Sequence, residues 1–217
     1  MQNTIREMVE LQNKLNIDTN GSNWILGFTN QNRSINWFRC IYMEAAEAID
    51  SLNWKHWKNL NGIEDFKNVE IELVDIWHFI LSEAIVEFGI EGAISYFEEH
   101  YVAFIKNKQN NFQNYILLNE LENILVSAAN KKIPIVSFYR AVEALDNFNA
   151  KKIRSLYIGK NCLNGFRQDN GYKEGTYIKI WDNIEDNVYM QKIIEVNPDI
   201  SYLELYNQLK ELYQTRL

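Results

Sequence analysis

The sequence predicts an all-α fold, with several helices packed into one bundle-like domain that covers residues 1–217. Turn-forming residues are scarce, with only 9 Gly and 2 Pro in 217 residues, which argues against a turn-rich β-sandwich or barrel. Apolar residues recur three and four positions apart along most of the chain, as they do on one face of a helix. No useful stretch alternates with the two-residue period of a strand, and no solenoid repeat is present.

The first half of the chain predicts three helices and two connections. The helices are expected at 4–16, 35–52 and 69–88, with a polar loop over 18–34 and an aromatic-rich connection over 53–68. The third helix is apolar around most of its circumference, so we expect it at the centre of the molecule. Gly89 is suited to end it.

The second half predicts six more helices, at 91–106, 110–131, 134–147, 150–169, 186–196 and 199–217. A second polar loop is expected over 171–186. Pro134 suits the first turn of its helix, where its missing N–H is not needed. Residues 90–150 are predicted to form a mobile helical lobe of the single domain.

Composition narrows the classes of partner. The formal net charge of −7 argues against a protein that coats nucleic acid or binds an anionic membrane. No apolar run reaches the length of a transmembrane helix. Cys40 and Cys162 follow no metal or redox spacing, and Met1–Glu10 shows no secretory signal, so we expect free thiols in the cytoplasm.

Two pairs of carboxylates have the spacing of a metal site. Glu44 and Glu47 are three residues apart on one predicted helix, and Glu72 and Asp75 repeat that spacing on another, so each pair shares a helix face. Packed together, the pairs would need a neutralising cation, and oxygen ligands favour Mg²⁺. Either pair could instead be an exposed face. An iron site is a competitor because His78 follows Asp75 by three, but a second Glu-x-x-His is missing.

A basic stripe follows on the helix predicted at 150–169. Lys160, Asn164 and Arg167 fall on one face, and Tyr172 and Lys173 come next in the loop. Lys, Arg and amide side chains suit phosphate oxygens. The alternative is a solvated cationic face near a helix C-terminus, where the helix dipole also favours positive charge.

Further candidates lie in the aromatic loop and the first helix. Trp54 and Trp57 could stack on a base while Lys55 or Lys58 reaches a phosphate, or the rings could anchor the loop on the core. Gln12 and Asn16, one helical turn apart, could bind a base edge or be ordinary polar residues of an amphipathic helix.

Together, four segments resemble a known family. They are Tyr42–Ser51 (YMEAAEAIDS), Trp54–Lys58 (WKHWK), Ile71–Phe79 (IELVDIWHF) and Tyr157–Lys173, with Gly-Lys-Asn-x-Leu-Asn at 159–164. The carboxylate pattern resembles that of the all-α NTP pyrophosphatases, the MazG-like superfamily. The four segments more narrowly resemble the dimeric dUTPases of certain bacteria, phages and kinetoplastids. The resemblance covers the N-terminal half and residues 157–187, but not residues 91–149.

The resemblance implies a homodimer of the all-α NTP pyrophosphatase type that hydrolyses dUTP, and also dUDP, to dUMP with Mg²⁺, using two or more ions per site. Glu44, Glu47, Glu72 and Asp75 would bind the ions, and Glu47 would orient or deprotonate the attacking water. By the same match, the phosphates and sugar would be held by Lys160, Asn164, Arg167, Tyr172 and Lys173. The uracil and deoxyribose would be surrounded by Gln12, Asn16, Trp57 and His78, with Lys58 also in the substrate site.

Two other functions stay open at this point. One is hydrolysis of a different nucleotide, such as dCTP or a damaged triphosphate, by the same site. The other is a non-catalytic nucleotide-binding or regulatory module, against which the intact set of four carboxylates argues.

Overall fold

The computed structural model describes residues 2–58, 61–110 and 115–216, without the side chains of residues 2, 3 and 108–110. In this part of the chain the helices are α1 (Gln2–Asn20), α2 (Trp37–Asp50), α3 (Phe66–Asn110), α4 (Leu117–Ala129), α5 (Ile135–Ala144), α6 (Ala150–Asp169), α7 (Asp186–Val196) and α8 (Tyr202–Thr215). A 3₁₀ turn lies at Trp24–Leu26, and a hairpin is formed by β1 (Ile180–Trp181) and β2 (Ile184–Glu185). The all-α prediction is confirmed.

α3 is the central helix, as its apolar circumference predicts. Nearly every side chain between Val69 and Ile85 is buried. α1 packs beside it in the opposite direction, since Arg6 bonds Glu91 and Gln12 bonds Ser82. Polar side chains on this stretch are therefore buried with the apolar ones and need partners inside the protein.

Gly89 divides α3 into two straight parts. Its φ of 70° and ψ of 177° lie where an L side chain rarely goes, so glycine is needed at this position. The helices predicted at 69–88 and 91–106 are both present. The second continues directly from the break and reaches Asn110.

α2 carries two of the predicted metal ligands and packs against α3 and α4. Its N-terminus is capped by Asn36, whose side chain accepts a hydrogen bond of 2.9 Å from the Arg39 N–H. Ile41, Ala45 and Ala48 form its buried face. Small alanines allow the neighbouring helices to approach closely, which brings the carboxylates of α2 near those of α3.

α6 passes through the core and is buried over most of its length. Asn149 caps it by accepting hydrogen bonds from the Lys151 and Lys152 N–H groups. At Gly159 a Cβ atom would lie 2.2 Å from Ile194 Cδ1 on α7. The absence of a side chain there lets α6 and α7 touch.

The remaining differences from the predicted elements are local. Pro134 is the N-cap of α5 and not part of its first turn. The helix predicted at 110–131 begins only at Leu117, and residues 111–114 lie outside the described part of the chain. The polar loop predicted over 171–186 holds the β1–β2 hairpin, whose two-residue strands are too short to show a period. α8 starts at Tyr202 because Ser201 and Glu204 form a capping box before it.

One cluster of buried apolar side chains extends from Ile5 to Tyr213. The single-domain division and the mobility of residues 90–150 stay predictions. Among the described helices, none combines the length and apolar character that crossing a membrane requires.

Candidate active site

Three carboxylates converge where α2 meets α3. Glu44, Glu72 and Asp75 each offer an oxygen, and these oxygens lie within 4.8 Å of one another. Glu72 is buried, with 8% of its surface exposed, and the other two are partly buried. The helix spacing and the close packing of α2 on α3 therefore bring together three of the four carboxylates that the sequence predicts at this site.

Burial and mutual repulsion raise the pKa values of two carboxylates in this cluster. Burial, the charge of Asp75 and a hydrogen bond with Glu72 raise the pKa of Glu44 to about 8. Burial and Asp75 also raise the pKa of Glu72. In the protein alone, the cluster therefore holds a proton near neutral pH, because so many negative charges cannot be neighbours at low dielectric.

Glu47 stands apart from the other three. It is exposed and lies outside the group of oxygens within 4.8 Å. Its charge still contributes to the raised pKa values of Glu44 and Glu72. Glu47 is thus close to the cluster, with its carboxylate open to solvent.

Lys160 of α6 completes the charged region. Its Nζ lies 2.7 Å from Asp75 Oδ2, and its side chain is only 6% exposed. Asn187 Oδ1 is a second neighbour at 3.4 Å. The interpretation of this stripe as a solvated cationic face is wrong for Lys160, because the side chain is buried against the carboxylates.

Arg167 is held by a buried carboxylate. Its Nε and Nη2 donate to the two oxygens of Asp186 at 2.8 and 2.7 Å. Asp186 is fully buried and also accepts a 2.9 Å hydrogen bond from the Tyr177 hydroxyl. Arg167 Nη1 reaches Asn164 Oδ1 at 3.3 Å. Here too the solvated-face interpretation is wrong.

A pocket adjoins the carboxylates. It has a volume of about 400 Å³, and its walls include Gln12, Asn16, Asp75, His78 and Asn164. Volumes of about 300–1,000 Å³ are usual for small-ligand sites. Two other clefts, of about 580 and 780 Å³, contain none of the predicted site residues. The pocket shares Asp75 with the carboxylate cluster, so a ligand in it would touch both.

His78 belongs to this pocket and not to the cluster of carboxylates. Its Nδ1 lies 2.6 Å from Gln12 Oε1, and its Nε2 has no partner in the described part of the chain. Burial and the charge of Lys160 lower its pKa to about 3. The three grouped side chains are all carboxylates that could hold a metal ion, and His78 is not among them.

A scan against protein-family models matches residues 4–172 to the model of a dUTPase family. The chain belongs to this dUTPase family. The match confirms the resemblance drawn from the four sequence segments, and with it the activity of a dUTP diphosphatase, which hydrolyses dUTP. No curated protein matches the chain.

The matched range contains most of the predicted site of this dUTPase. It includes the three grouped carboxylates, Glu47, the pocket residues, the α6 residues and Tyr172 in the loop after α6. Lys173 and Asp186, the carboxylate that holds Arg167, lie beyond it.

Four predicted substrate residues lie on exposed loops. Trp57 is 61% exposed and, like Lys58, does not line the pocket. Trp57 packs edge-on against Trp54, with ring centroids 5.4 Å apart. Tyr172 is 41% exposed with Arg167 Cζ 5.9 Å from its ring centre, and Lys173 is exposed. The structure therefore places Tyr172 next to Arg167 and leaves Trp57 and Lys58 outside the pocket.

Sequence reasoning missed three residues of the site. Asp186 follows a hairpin too short to be predicted, and only the need of a buried arginine for a counter-charge could have indicated it. Ser82 and Tyr157 both bond the Gln12–Asn16 pair. Their polar groups lie on buried helices, where an unpaired hydroxyl is costly, and that was the available signal.

Proposed function

We propose that this dUTPase requires Mg²⁺, accepts dUDP as well as dUTP, and releases dUMP from both. The observation that carries the metal requirement is the group of three carboxylates within 4.8 Å. Burial and mutual repulsion raise the pKa of Glu44 to about 8, so a divalent cation would relieve an unfavourable arrangement that the fold already contains.

Glu44, Glu72 and Asp75 would hold the first ion, and Glu47 would help to hold a further one. When bound, Mg²⁺ supplies positive charge that neutralises the phosphate chain and favours ionisation of the attacking water. This assignment follows from the donor set, since carboxylate oxygens are the ligands that Mg²⁺ prefers.

The cations of α6 would bind the phosphates. Lys160 has three N–H donors, and the contacts with Asp75 and Asn187 leave at least one for a phosphate oxygen. Arg167 directs two donors to Asp186, one to Asn164 and one to Asn187, and the last of its five donors can serve a phosphate. We propose that Asn164, Tyr172 and Lys173 complete this phosphate and sugar site.

Glu47 would accept the proton that the attacking water loses. The oxygen of water forms a bond to phosphorus while the bond between that phosphorus and the oxygen bridging the α and β phosphates breaks. dUMP and pyrophosphate leave from dUTP, and dUMP and phosphate leave from dUDP. Glu47 is exposed beside the cluster, so its carboxylate can accept the proton that the water loses.

Base binding falls to the neutral wall of the pocket. We propose that Gln12, Asn16 and His78 surround uracil and deoxyribose, because their polar atoms lie together in the 400 Å³ pocket.

We also propose a homodimer in the cytoplasm. Large apolar side chains such as Ile63 (97%) and Leu26 (70%) are exposed and suit a subunit interface, and free Cys40 and Cys162 suit a reducing compartment.

The test is product release from dUTP, dUDP, dTTP, dCTP and UTP, with Mg²⁺ and with EDTA. We expect release that needs Mg²⁺ and is confined to the deoxyuridine nucleotides. Full activity in EDTA would overturn the metal requirement, and equal activity on dCTP would overturn the assignment of the base pocket.

The role of Glu47 is tested by Glu47→Gln. We expect turnover to fall by about a thousandfold, because the proton acceptor is lost, while binding of dUMP measured by calorimetry is kept. Asp50→Asn, an exposed acid on the same helix, is the control and should retain activity. Retained turnover in Glu47→Gln would show that another group accepts the proton.

A further inference from the structure

Two hydrogen bonds to Ser51 join the end of α2 to the start of α3. The Asp65 N–H donates to the Ser51 carbonyl at 2.9 Å, and Asn68 Nδ2 donates to the Ser51 hydroxyl at 2.8 Å. Asp65 also caps α3, because its Oδ1 accepts a 3.0 Å hydrogen bond from the Asn68 N–H. These three residues form a joint that closes the base of the loop containing Trp57.

The joint lies one helical turn from two of the site carboxylates. Ser51 follows Glu47 by four residues, and its hydroxyl donates to the Glu47 carbonyl at 3.1 Å. Asn68 precedes Glu72 by four residues, and its Nδ2 donates to Glu72 Oε1 at 3.0 Å. Residues four apart share a helix face. A chain of hydrogen bonds therefore crosses the joint from the α2 backbone to the Glu72 carboxylate.

The direction of each hydrogen bond in this chain is determined. The Ser51 hydroxyl has one hydrogen, which goes to the Glu47 carbonyl, so its oxygen accepts from Asn68. An ionised Glu72 carboxylate also only accepts. Both bonds of Asn68 therefore use the two hydrogens of its NH₂ group. A reversed amide would place its oxygen 3.0 Å from a carboxylate oxygen, which is unfavourable because neither can donate.

Asn68 thereby fixes the rotation of the Glu72 carboxylate. The last torsion of a glutamate side chain is broad, so an unrestrained carboxylate can turn. The hydrogen bond holds Oε1 towards Asn68 while the carboxylate stays in the group of three whose oxygens lie within 4.8 Å. Residues behind metal ligands orient them in this way, and their loss typically weakens metal binding by about 10–100-fold.

We propose that Asn68 is a positioning residue that, held by Ser51, orients Glu72 for the binding of Mg²⁺. The proposal rests on the proposed function, because it assumes that the three carboxylates bind this ion. The NH₂ group that faces Glu72 has no lone pair for a cation, so Asn68 acts on the ion through Glu72.

The experiment measures Mg²⁺ binding to Asn68→Ala by calorimetry, with no nucleotide present. Alanine favours a helix, and circular dichroism checks that the protein is folded. Without the NH₂ group the Glu72 carboxylate can turn, so we expect the Kd for Mg²⁺ to rise by about tenfold or more. The Mg²⁺ concentration that gives half-maximal hydrolysis of dUTP should rise by the same factor, whereas kcat at saturating Mg²⁺ should stay close to the wild-type value.

Ser51→Ala tests the path through the joint. It removes the acceptor of the second Asn68 hydrogen, so Mg²⁺ binding should weaken, but less than in Asn68→Ala. In the double variant the Ser51 change should add nothing, because the residue through which it acts is already gone. Additive effects of the two changes would overturn the role of Ser51 in holding Asn68.

Asn123→Ala is the matched control. Asn123 Nδ2 also faces a carboxylate oxygen on its own helix, Glu120 Oε2, at 3.5 Å, and neither residue belongs to the carboxylate group or lines the pocket. This variant should keep the wild-type affinity for Mg²⁺. If Asn68 were only structural, Asn68→Ala would lower Tm and leave the Kd of the folded protein unchanged, and an unchanged Kd would overturn the proposal.

Binding and hydrolysis together separate this proposal from the proposed function. Wild-type protein that binds Mg²⁺ yet hydrolyses dUTP equally well in EDTA would contradict the metal requirement, and the Kd of Asn68→Ala would still test Asn68. Hydrolysis that needs Mg²⁺, with the same Kd in wild-type protein and Asn68→Ala, would overturn the role of Asn68 alone. Wild-type protein that binds no Mg²⁺ would overturn both.

Discussion

The site has a neutral half and a charged half, which meet at Asp75 and differ in how their polar groups are paired. On one side, Gln12, Asn16, Ser82 and their neighbours are neutral, and nearly every donor finds an acceptor within the cluster. On the other side, three carboxylates crowd within 4.8 Å and share one buried cation, Lys160. On the neutral side, His78 Nε2 is the exception that lacks a partner in the described part of the chain, whereas the charged side as a whole carries excess negative charge.

The difference indicates which interactions serve stability and which serve chemistry. A satisfied polar cluster holds side chains in one arrangement, as recognition of a base edge requires. An unneutralised cluster of carboxylates destabilises the free protein and gains from binding a cation. Ligand binding should therefore change the charged half most, and variants in the two halves should differ in sign as well as size.

The largest effect is expected from Glu72→Gln, which removes one carboxylate of the charged half. We expect kcat/KM for dUTP to fall by about 10³–10⁴-fold, because a metal ligand and its charge are lost. The metal-free variant should melt at the same or a higher temperature than wild-type protein, since repulsion is relieved, and Mg²⁺ should no longer raise Tm. Glu87→Gln, on an exposed part of the same helix, is the control. A large loss of metal-free stability would show that Glu72 is not under repulsion.

The second-largest effect is expected from Asp186→Asn, which tests whether every charged group near the site is under repulsion. Arg167 and Asp186 form a buried bidentate pair, with side chains 9% and 1% exposed. Asp186→Asn leaves the guanidinium without a counter-charge, so we expect the free energy of unfolding in urea to fall by about 3–5 kcal/mol. Glu91→Gln breaks an exposed bidentate pair with Arg6 and should lower the free energy of unfolding far less, because solvent screens both charges. Equal losses would mean that burial does not determine how much these ion pairs contribute to the free energy of unfolding.

The sequence predicts the charged half better than the neutral half. Glu44, Glu72 and Asp75 lie at helical spacing on helices whose apolar residues are strongly periodic. This periodicity predicts the helix face on which each carboxylate lies. Ser82 has no such pattern, because its role depends on α1 crossing α3, which is a tertiary contact. Asp186 follows a hairpin of two-residue strands, where local sequence carries no period.

For the loop that contains Trp57, residue type is the main evidence for a role in base binding. Aromatic rings beside lysines favour base stacking by composition, the ring is 61% exposed, and its contact with a base stays a prediction. The helices were well predicted wherever periodic apolar faces pack on α3. The start of α4 was not, because residue pattern alone does not determine where the chain between two helices stops being helical.

The pH dependence of stability should separate the two halves by sign. Glu44 has a folded-state pKa of about 8, above its ordinary value of 4.5, so the folded state holds the extra proton between these values. Its contribution to stability is therefore lost as pH rises from about 5 to about 8. His78 has a pKa of about 3 against 6.5, so its contribution is lost as pH falls from about 6.5 towards 3.

We therefore expect the metal-free protein to be most stable where these two ranges overlap, at about pH 5 to 6.5, as measured by Tm across buffers of constant ionic strength. Glu44→Gln should flatten the decline on the alkaline side and leave the acidic side unchanged. The rise in Tm caused by Mg²⁺ should grow with pH, because the ligands must lose their proton to bind it. A Mg²⁺ effect that is constant with pH would contradict the assignment of Glu44.

The smallest effect is expected in the neutral half, from Tyr157→Phe. The Tyr157 hydroxyl lies 2.8 Å from the Met8 carbonyl and 3.0 Å from Gln12 Oε1, and the variant removes this donor without changing ring packing. Because the single hydroxyl hydrogen is divided between the Met8 carbonyl and Gln12 Oε1, and His78 still donates to Gln12, the free energy of unfolding should fall by only about 1 kcal/mol. Tyr139→Phe, whose hydroxyl bonds the Phe97 carbonyl at 3.3 Å away from the pocket, should cost a similar amount. The two variants should differ in recognition: only Tyr157→Phe loosens Gln12, so only it should weaken dUMP binding, whereas equal affinity in both would mean that Gln12 needs no support from Tyr157.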